Sequence, residues 1–113
     1  IHLNKKNENF INKKKISIMK PDVTLINTSR GKIINEKDLL YYLKLRKKFK
    51  AGLDVIDGEW LSKKDLKKHK LIKYANKHDN LVIVPHIGGA TNESIYGARS
   101  FIIHKLKNEI KNF

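Results

Sequence analysis

Three short apolar runs, each bounded by polar or turn-forming residues, stand out along the chain. Runs of this length that are rich in β-branched and aliphatic residues predict buried strands. We expect these strands at residues 23–27, 50–56 and 81–85. Their nearly continuous apolar character is typical of parallel strands that are buried on both faces.

Helical patterns separate and flank the three runs. A helix is predicted over residues 36–48, because Asn35 suits an N-cap and acidic side chains follow in the first turn, where the helix dipole favours them. Another is predicted over about residues 91–111, where apolar residues recur every three or four positions. The polar stretches 12–20 and 58–79 predict shorter helices.

The alternation of strand and helix is the rhythm of βαβ units. It predicts an α/β fold with a parallel sheet and right-handed crossovers. A chain of 113 residues is long enough for one compact domain or for part of a larger one. Because the chain begins at Ile1 rather than at Met and has no apolar signal segment, we expect it to be part of a longer protein.

The formal charge of +14 raises nucleic acid as a partner. The lysines are dispersed, however, and do not alternate with aromatic residues as they do in proteins that stack single-stranded bases. We therefore favour solvated surface lysines over a nucleic-acid surface. The chain has no cysteine, which excludes disulfides and thiolate metal sites, and no metal site is expected. No apolar run approaches the roughly 18 residues of a membrane span, so no membrane partner is expected.

Polar residues follow each predicted strand, in the segments NTSRG, DVIDGE and PHIGG. Ligands of open parallel sheets bind beyond the carboxyl ends of the strands, and these ends share one edge. An arginine there offers a forked donor to a carboxylate, and a histidine can transfer a proton near neutral pH. Each residue alone is equally compatible with a structural role, such as a turn cap. The residues expected at this edge are Arg30, Asp54, Glu59, His86 and Gly88.

Taken together, MKPDVTLINTSRGKIINEKDLL, AGLDVIDGE and VPHIGGAT closely resemble the D-isomer-specific 2-hydroxyacid dehydrogenases, especially the phosphoglycerate dehydrogenase-like members. The resemblance implies that residues 1–113 are a partial NAD-binding domain, the second half of a Rossmann-type fold. Its final helix, about 91–111, would lead toward a substrate domain that this sequence does not contain. The implied activity is an oxidoreductase that transfers a hydride between NAD(H) and C2 of a D-2-hydroxy acid or its 2-oxo acid.

The resemblance also implies roles for individual residues. Arg30 would hold the carboxylate and carbonyl of the substrate. His86 would be the general acid in reduction and the general base in oxidation, and Glu59 would pair with it. Asp54 would contact the cofactor near the nicotinamide. The full set of implied cofactor contacts is Thr28, Ser29, Arg30, Asp54, His86, Gly88 and Gly89.

The sequence departs from the family pattern at positions that bear on the choice of cofactor and on the activity of the isolated chain. The sequence lacks the glycine-rich phosphate loop and the residue about 20 positions on that reads the ribose, so NAD is expected and NADP is not excluded. We expect the isolated chain to be inactive. Trp60 follows Glu59 where the family usually has proline.

The implied partner is a small 2-hydroxy or 2-oxo acid, and a cytoplasmic homodimer is expected at full length. The alternative is a non-enzymatic module, either basic and nucleic-acid-binding or NAD-sensing and corepressor-like.

Overall fold

The computed structural model describes residues 1–111. Three parallel strands form one sheet in the order β1-β2-β3, which confirms the predicted α/β architecture. The strands are Thr24–Asn27 (β1), Lys50–Leu53 (β2) and Leu81–Ile83 (β3). Each occupies the predicted run but is shorter, because the last residues of the second and third runs belong to loops.

The helices also fall where the pattern predicts them. They are Lys13–Ser17 (α1), Glu36–Leu45 (α2), Lys63–Leu66 (α3), Lys70–Ala75 (α4) and Asn92–Lys111 (α5), and a 3₁₀ turn spans Gly31–Ile33. Asn35 is the N-cap of α2, as predicted, since its side chain accepts a hydrogen bond from the amide of Asp38 at 3.2 Å. Residues 112 and 113 of the predicted domain range lie outside the described residues.

Helix α2 ends at Leu45, three residues before the predicted end at 48. Arg46 adopts an extended conformation there, and its guanidinium donates hydrogen bonds to three carbonyl oxygens of the α1 region. Those oxygens belong to Ile16, Ser17 and Met19. Unpaired carbonyls at a helix end are commonly satisfied by such cationic donors. A tertiary contact therefore determines where α2 ends.

The core lies on one face of the sheet. Leu25, Ala51 and Leu81 are neighbours in register on this face, and α2 and α4 cover it with apolar side chains. The fully buried large side chains are Phe49, Ile16, Leu39, Leu43, Leu71 and Val55. Burying each such side chain contributes about 1.5–3 kcal/mol.

The opposite face of the sheet is open among the described residues. Ile26, Gly52 and Val82 are neighbours in register there, and Ile26 is 68% exposed and Val82 58% exposed. The expectation that the strands are buried on both faces is therefore wrong for residues 1–111. The reason is that α2 and α4 pack into a single cluster on the other side.

Helix α5 projects from the body of the molecule. Its large apolar side chains are exposed, including Tyr96 at 67% and Phe101 at 69%. The molecule is elongated accordingly, with extents of 58 × 34 × 27 Å. The amphipathic period thus predicted the helix correctly, but its apolar residues pack against no core in this part of the chain. Among residues 1–111, no helix is both long enough and apolar enough to cross a membrane.

Candidate active site

The loops that follow the three strands meet at one edge of the sheet. Asn27 lies opposite Leu53, and Leu53 lies opposite Ile83, so the strands end level with one another. Between the loops is a groove of about 520 Å³, which we call the strand-end groove. The residues that line it are Thr28, Arg30, Asp54, Trp60, His86, Gly89 and Ala90. The edge predicted from the strand ends therefore brings arginine, aspartate and histidine side chains together.

Asn27 organises the first loop, a role that the sequence reasoning missed. Its side chain is buried at the end of β1 and accepts hydrogen bonds from the amide and hydroxyl of Ser29, at 3.0 and 2.8 Å. Its amide nitrogen donates to the carbonyl oxygen of Arg30 at 2.9 Å. A polar residue that closes an apolar run was the available signal. Arg30 itself is exposed at the groove, and its Nη1 donates to the carbonyl oxygen of Ser29 at 2.6 Å.

Asp54 joins the second loop to the third. It is 6% exposed, and its two carboxylate oxygens accept hydrogen bonds from the amides of Ile87 and Gly88 at 2.7 and 3.0 Å. A Cβ at Gly88 would lie 2.8 Å from Asp54 Oδ2, so only glycine fits this approach without a shift. The structure thus gives Asp54 a loop-holding role. Its implied contact with a cofactor stays a prediction.

His86 and Glu59 form the paired histidine and carboxylate that the sequence suggested. His86 Nδ1 lies 2.9 Å from Glu59 Oε1, and their side chains are 34% and 18% exposed. Because a carboxylate oxygen accepts, Nδ1 carries the hydrogen of this bond. No residue in the described range hydrogen-bonds to Nε2. The pair therefore fixes the ring through one nitrogen and keeps the other for a ligand.

The backbone at His86 is in the left-handed region, with φ at +54°. Non-glycine residues adopt this conformation at a cost of order 1 kcal/mol or more, and such residues cluster at functional sites. The amide of His86 donates to the carbonyl oxygen of Val84 at 3.0 Å, so the chain turns sharply around Pro85. This turn directs the imidazole toward Glu59.

Trp60 stands beside the histidine. The centres of the two rings are 6.0 Å apart and their planes are tilted by 42°. The indole is 85% exposed and lines the strand-end groove. A second cavity of about 380 Å³, lined mostly by apolar residues, also borders His86, Glu59 and Trp60.

The remaining predicted contacts fall on the same loops. Thr28 and Gly89 line the groove, whereas the Ser29 hydroxyl turns back to Asn27. A Cβ at Gly89 would meet no heavy atom within 4 Å, so the backbone there is open to a ligand. Gly31, which the sequence reasoning did not single out, is needed for a different reason: a Cβ there would lie 2.1 Å from the backbone carbon of Ile56.

Parallel strands whose following loops meet at a groove are the arrangement found in Rossmann-type α/β domains, where ligands bind at the carboxyl ends of the strands. Residues 1–88 match the family model described as D-isomer specific 2-hydroxyacid dehydrogenase, NAD binding domain. The chain therefore belongs to the D-isomer specific 2-hydroxyacid dehydrogenase family, which confirms the resemblance seen in the sequence.

Curated relatives and solved structures agree with this membership. A glyoxylate reductase from Thermococcus litoralis is 35% identical over 94% of this chain and 29% of its own length. A peroxisomal glycerate dehydrogenase from Arabidopsis thaliana is 30% identical over 98% of this chain and 26% of its own length. The structure of the Aquifex aeolicus D-lactate dehydrogenase with NAD and lactic acid superposes with a TM-score of 0.70 at 31% identity, covering 99% of this chain and 36% of that one. The chain thus spans less than a third of the length of these curated relatives.

Proposed function

We propose that the protein containing this chain is an NAD-dependent D-2-hydroxyacid dehydrogenase, which reduces a small 2-oxo acid or oxidises the corresponding D-2-hydroxy acid. The observation that carries the proposal is the His86–Glu59 pair at 2.9 Å beside Arg30 in the strand-end groove. An acid–base group next to a forked cation suits a substrate whose carbonyl is adjacent to a carboxylate.

His86 is the proton-transfer residue in this proposal. Glu59 holds the hydrogen at Nδ1, so Nε2 exchanges a proton with the oxygen on the substrate's C2. The guanidinium of Arg30 binds the substrate carboxylate through its two-pronged donor face and orients C2. Among the described residues, the Arg30 side chain hydrogen-bonds only to the backbone of Ser29, so it has donors left for this purpose.

The same groove is the proposed site of the nicotinamide ring. Thr28 and Gly89 line the groove, and the space around Gly89 supports the proposal, since a flat ring could approach the backbone there without meeting a side chain. NAD, when bound, supplies the hydride acceptor or donor for C2. NAD is the proposed cofactor because the matched model is an NAD binding domain.

The names of the relatives indicate which 2-oxo acids are the first candidates for the substrate. They include glyoxylate reductases and glycerate dehydrogenases, and the superposed structure holds lactic acid. We therefore propose a short-chain 2-oxo acid. A cytoplasmic homodimer, and a helix α5 that leads toward a separate substrate domain, belong to the same proposal and rest on the family membership.

The test is turnover by the full-length protein. NADH consumption should depend on an added 2-oxo acid, with glyoxylate, hydroxypyruvate and pyruvate as the first panel. The loss of turnover in a His86→Ala variant that still binds NADH would support the assigned chemistry. Full turnover by that variant would contradict it.

The charge of +14 favours one alternative, a basic module that binds nucleic acid. Binding driven by phosphate contacts falls steeply with salt, so a duplex-binding assay at two ionic strengths distinguishes the two functions. Tight, salt-sensitive binding without any turnover would support the alternative.

A further inference from the structure

The segment that carries Glu59 has little regular structure of its own. Residues 57–60 form a turn between β2 and α3, with Gly58 in the left-handed region at φ +75°. One backbone hydrogen bond closes the turn, from the amide of Leu61 to the carbonyl oxygen of Gly58 at 3.0 Å. Some other contact must fix the position of Glu59 relative to His86.

Two side chains from elsewhere hold this turn at Asp57. The amide of Asp57 donates to Glu36 Oε1 at 2.8 Å. The carbonyl oxygen of Asp57 lies 3.2 Å from His69 Nε2. The two side chains are themselves paired, with His69 Nε2 3.1 Å from Glu36 Oε2. Both backbone polar groups of Asp57 are thus held by one paired unit, which we call the Glu36–His69 clamp.

The chemistry of the clamp defines the histidine tautomer. Nε2 faces a carbonyl oxygen and a carboxyl oxygen, so it is the nitrogen that carries the hydrogen. Nδ1 of His69 is buried and has no hydrogen-bond partner in the described chain. The side chains of His69 and Glu36 are only 13% and 21% exposed. Burial raises the pKa of Glu36, while the Asp57 amide and His69 act to lower it.

Gly31 also packs against this turn. The backbone of Ile56 and Asp57 lies so close to Gly31 that a Cβ there would be 2.1 Å and 2.3 Å away from it. The turn is thus packed on Gly31 and hydrogen-bonded to the clamp at Asp57, two residues before Glu59.

We propose that Glu36 and His69 are positioning residues for Glu59, and through Glu59 for the ring of His86. The inference rests on the proposed function, since it takes the His86–Glu59 pair as the acid–base pair of the reaction. The clamp contacts neither residue of that pair directly. Its effect passes through the backbone between Asp57 and Glu59.

The test is a spectroscopic signature of His86 that does not require turnover. Ring nitrogens of the ¹⁵N-histidine-labelled chain are observed by NMR at neutral pH, with a His86→Gln variant to assign the signal. The intact clamp should give His86 as the Nδ1–H tautomer, because Glu59 accepts from Nδ1. His69→Phe keeps a ring of similar size but donates no hydrogen bond, and should abolish this signature.

Two further variants make the result specific. His69→Gln retains a donor and should restore at least part of the Nδ1–H signal. His78→Phe is the matched control, because His78 stacks on Tyr74 at 4.1 Å and makes no contact with the clamp among the described residues. It should leave His86 unchanged. The amide shifts of Ala51 and Leu53 in β2 report whether the sheet is intact.

An unchanged His86 signature in His69→Phe, with the sheet intact, overturns the proposal. If His69→Phe disrupts the sheet as well, Glu36→Met decides, because methionine is of similar size but has no carboxylate oxygen to accept from the Asp57 amide: a lost signature supports the clamp and a retained one overturns it. The outcome is independent of the dehydrogenase assay. A clamp that positions Glu59 in a protein without turnover would refute the proposed function and leave the positioning intact.

Discussion

The chain contains two histidine–glutamate pairs that are alike in distance and opposite in setting. His86 and Glu59 are 2.9 Å apart, and His69 and Glu36 are 3.1 Å apart. The His86 side chain is 34% exposed at the groove, whereas that of His69 is 13% exposed with a buried, unpartnered Nδ1. The difference lies in the second ring nitrogen, which is available to a ligand in one pair and enclosed in the other.

This contrast shows that ring chemistry alone does not identify a catalytic histidine. Both imidazoles have a carboxylate that could orient them. Only the ring with an accessible second nitrogen can pass a proton to a substrate. The enclosed pair instead hydrogen-bonds to backbone groups. A buried polar group without a hydrogen-bond partner costs free energy, so this pairing stabilises the turn. Four substitutions test the difference between the two pairs, in decreasing order of expected effect.

Gly31→Ala should affect both pairs at once and give the largest effect. The added Cβ would lie 2.1 Å from Ile56 backbone, so the turn between the pairs must shift. We expect a loss of about 3 kcal/mol in the free energy of unfolding, as for severe overpacking. Urea denaturation measures it. Gly97→Ala is the control, because a Cβ there meets nothing within 4 Å, and it should be neutral or stabilising. Equal stability of the two variants would contradict the packing argument.

His86→Ala should separate activity from stability. Turnover of the full-length enzyme should fall by roughly 10²-fold or more, the usual contribution of general acid–base catalysis. The free energy of unfolding should fall by only about 1 kcal/mol, the net contribution of one lost hydrogen bond, since alanine carries the same left-handed backbone strain as histidine. Steady-state kinetics and urea denaturation on the same preparation measure both. A variant that lost stability but kept its turnover would reverse the assignment of the two pairs.

His69→Phe should lower the free energy of unfolding more than His86→Ala does. It leaves the Asp57 carbonyl and the Glu36 carboxyl without their shared donor in a mostly buried place. We expect a loss of about 1–2 kcal/mol in the free energy of unfolding. Thermal or urea unfolding of the chain, compared with His78→Phe, measures the difference. No loss relative to that control would mean that the clamp contributes nothing to stability.

Glu36→Gln should change the pH dependence of stability. The pKa of Glu36 is raised above its ordinary value of 4.5 by burial, which disfavours the carboxylate more in the folded than in the unfolded chain. This contribution is present below the unfolded value and is lost as pH rises through the raised folded value. Wild-type stability should therefore fall relative to Glu36→Gln as pH rises from below 4.5 through that raised value. Parallel stability–pH curves would contradict the raised pKa.

Local pattern was sufficient to predict most of the fold. The apolar period placed the strands and the helices, and Asn35 marked the start of α2. The end of α2 was predicted wrongly because Arg46 bonds to the α1 region, a contact between segments distant in sequence. The expectation of burial on both sheet faces was also wrong for residues 1–111, since apolar composition does not reveal which face the helices cover.

The site was predictable where topology alone brings residues together. Strand ends in a parallel sheet share an edge, so Arg30, Asp54 and His86 could be expected in one groove. The clamp could not be expected, because His69 lies in a lysine-rich stretch without a distinguishing pattern. The close approach of Gly31 to Ile56 likewise depends on the packing of two loops rather than on either sequence segment.

The left-handed backbone at His86 has a consequence for selection. A residue held at φ +54° is one that stability alone would replace with glycine or asparagine. Random mutagenesis of this chain, screened only for resistance to heat, should therefore enrich His86→Gly and His86→Asn early. A screen for turnover should retain the histidine, so the two enriched populations should diverge first at this position.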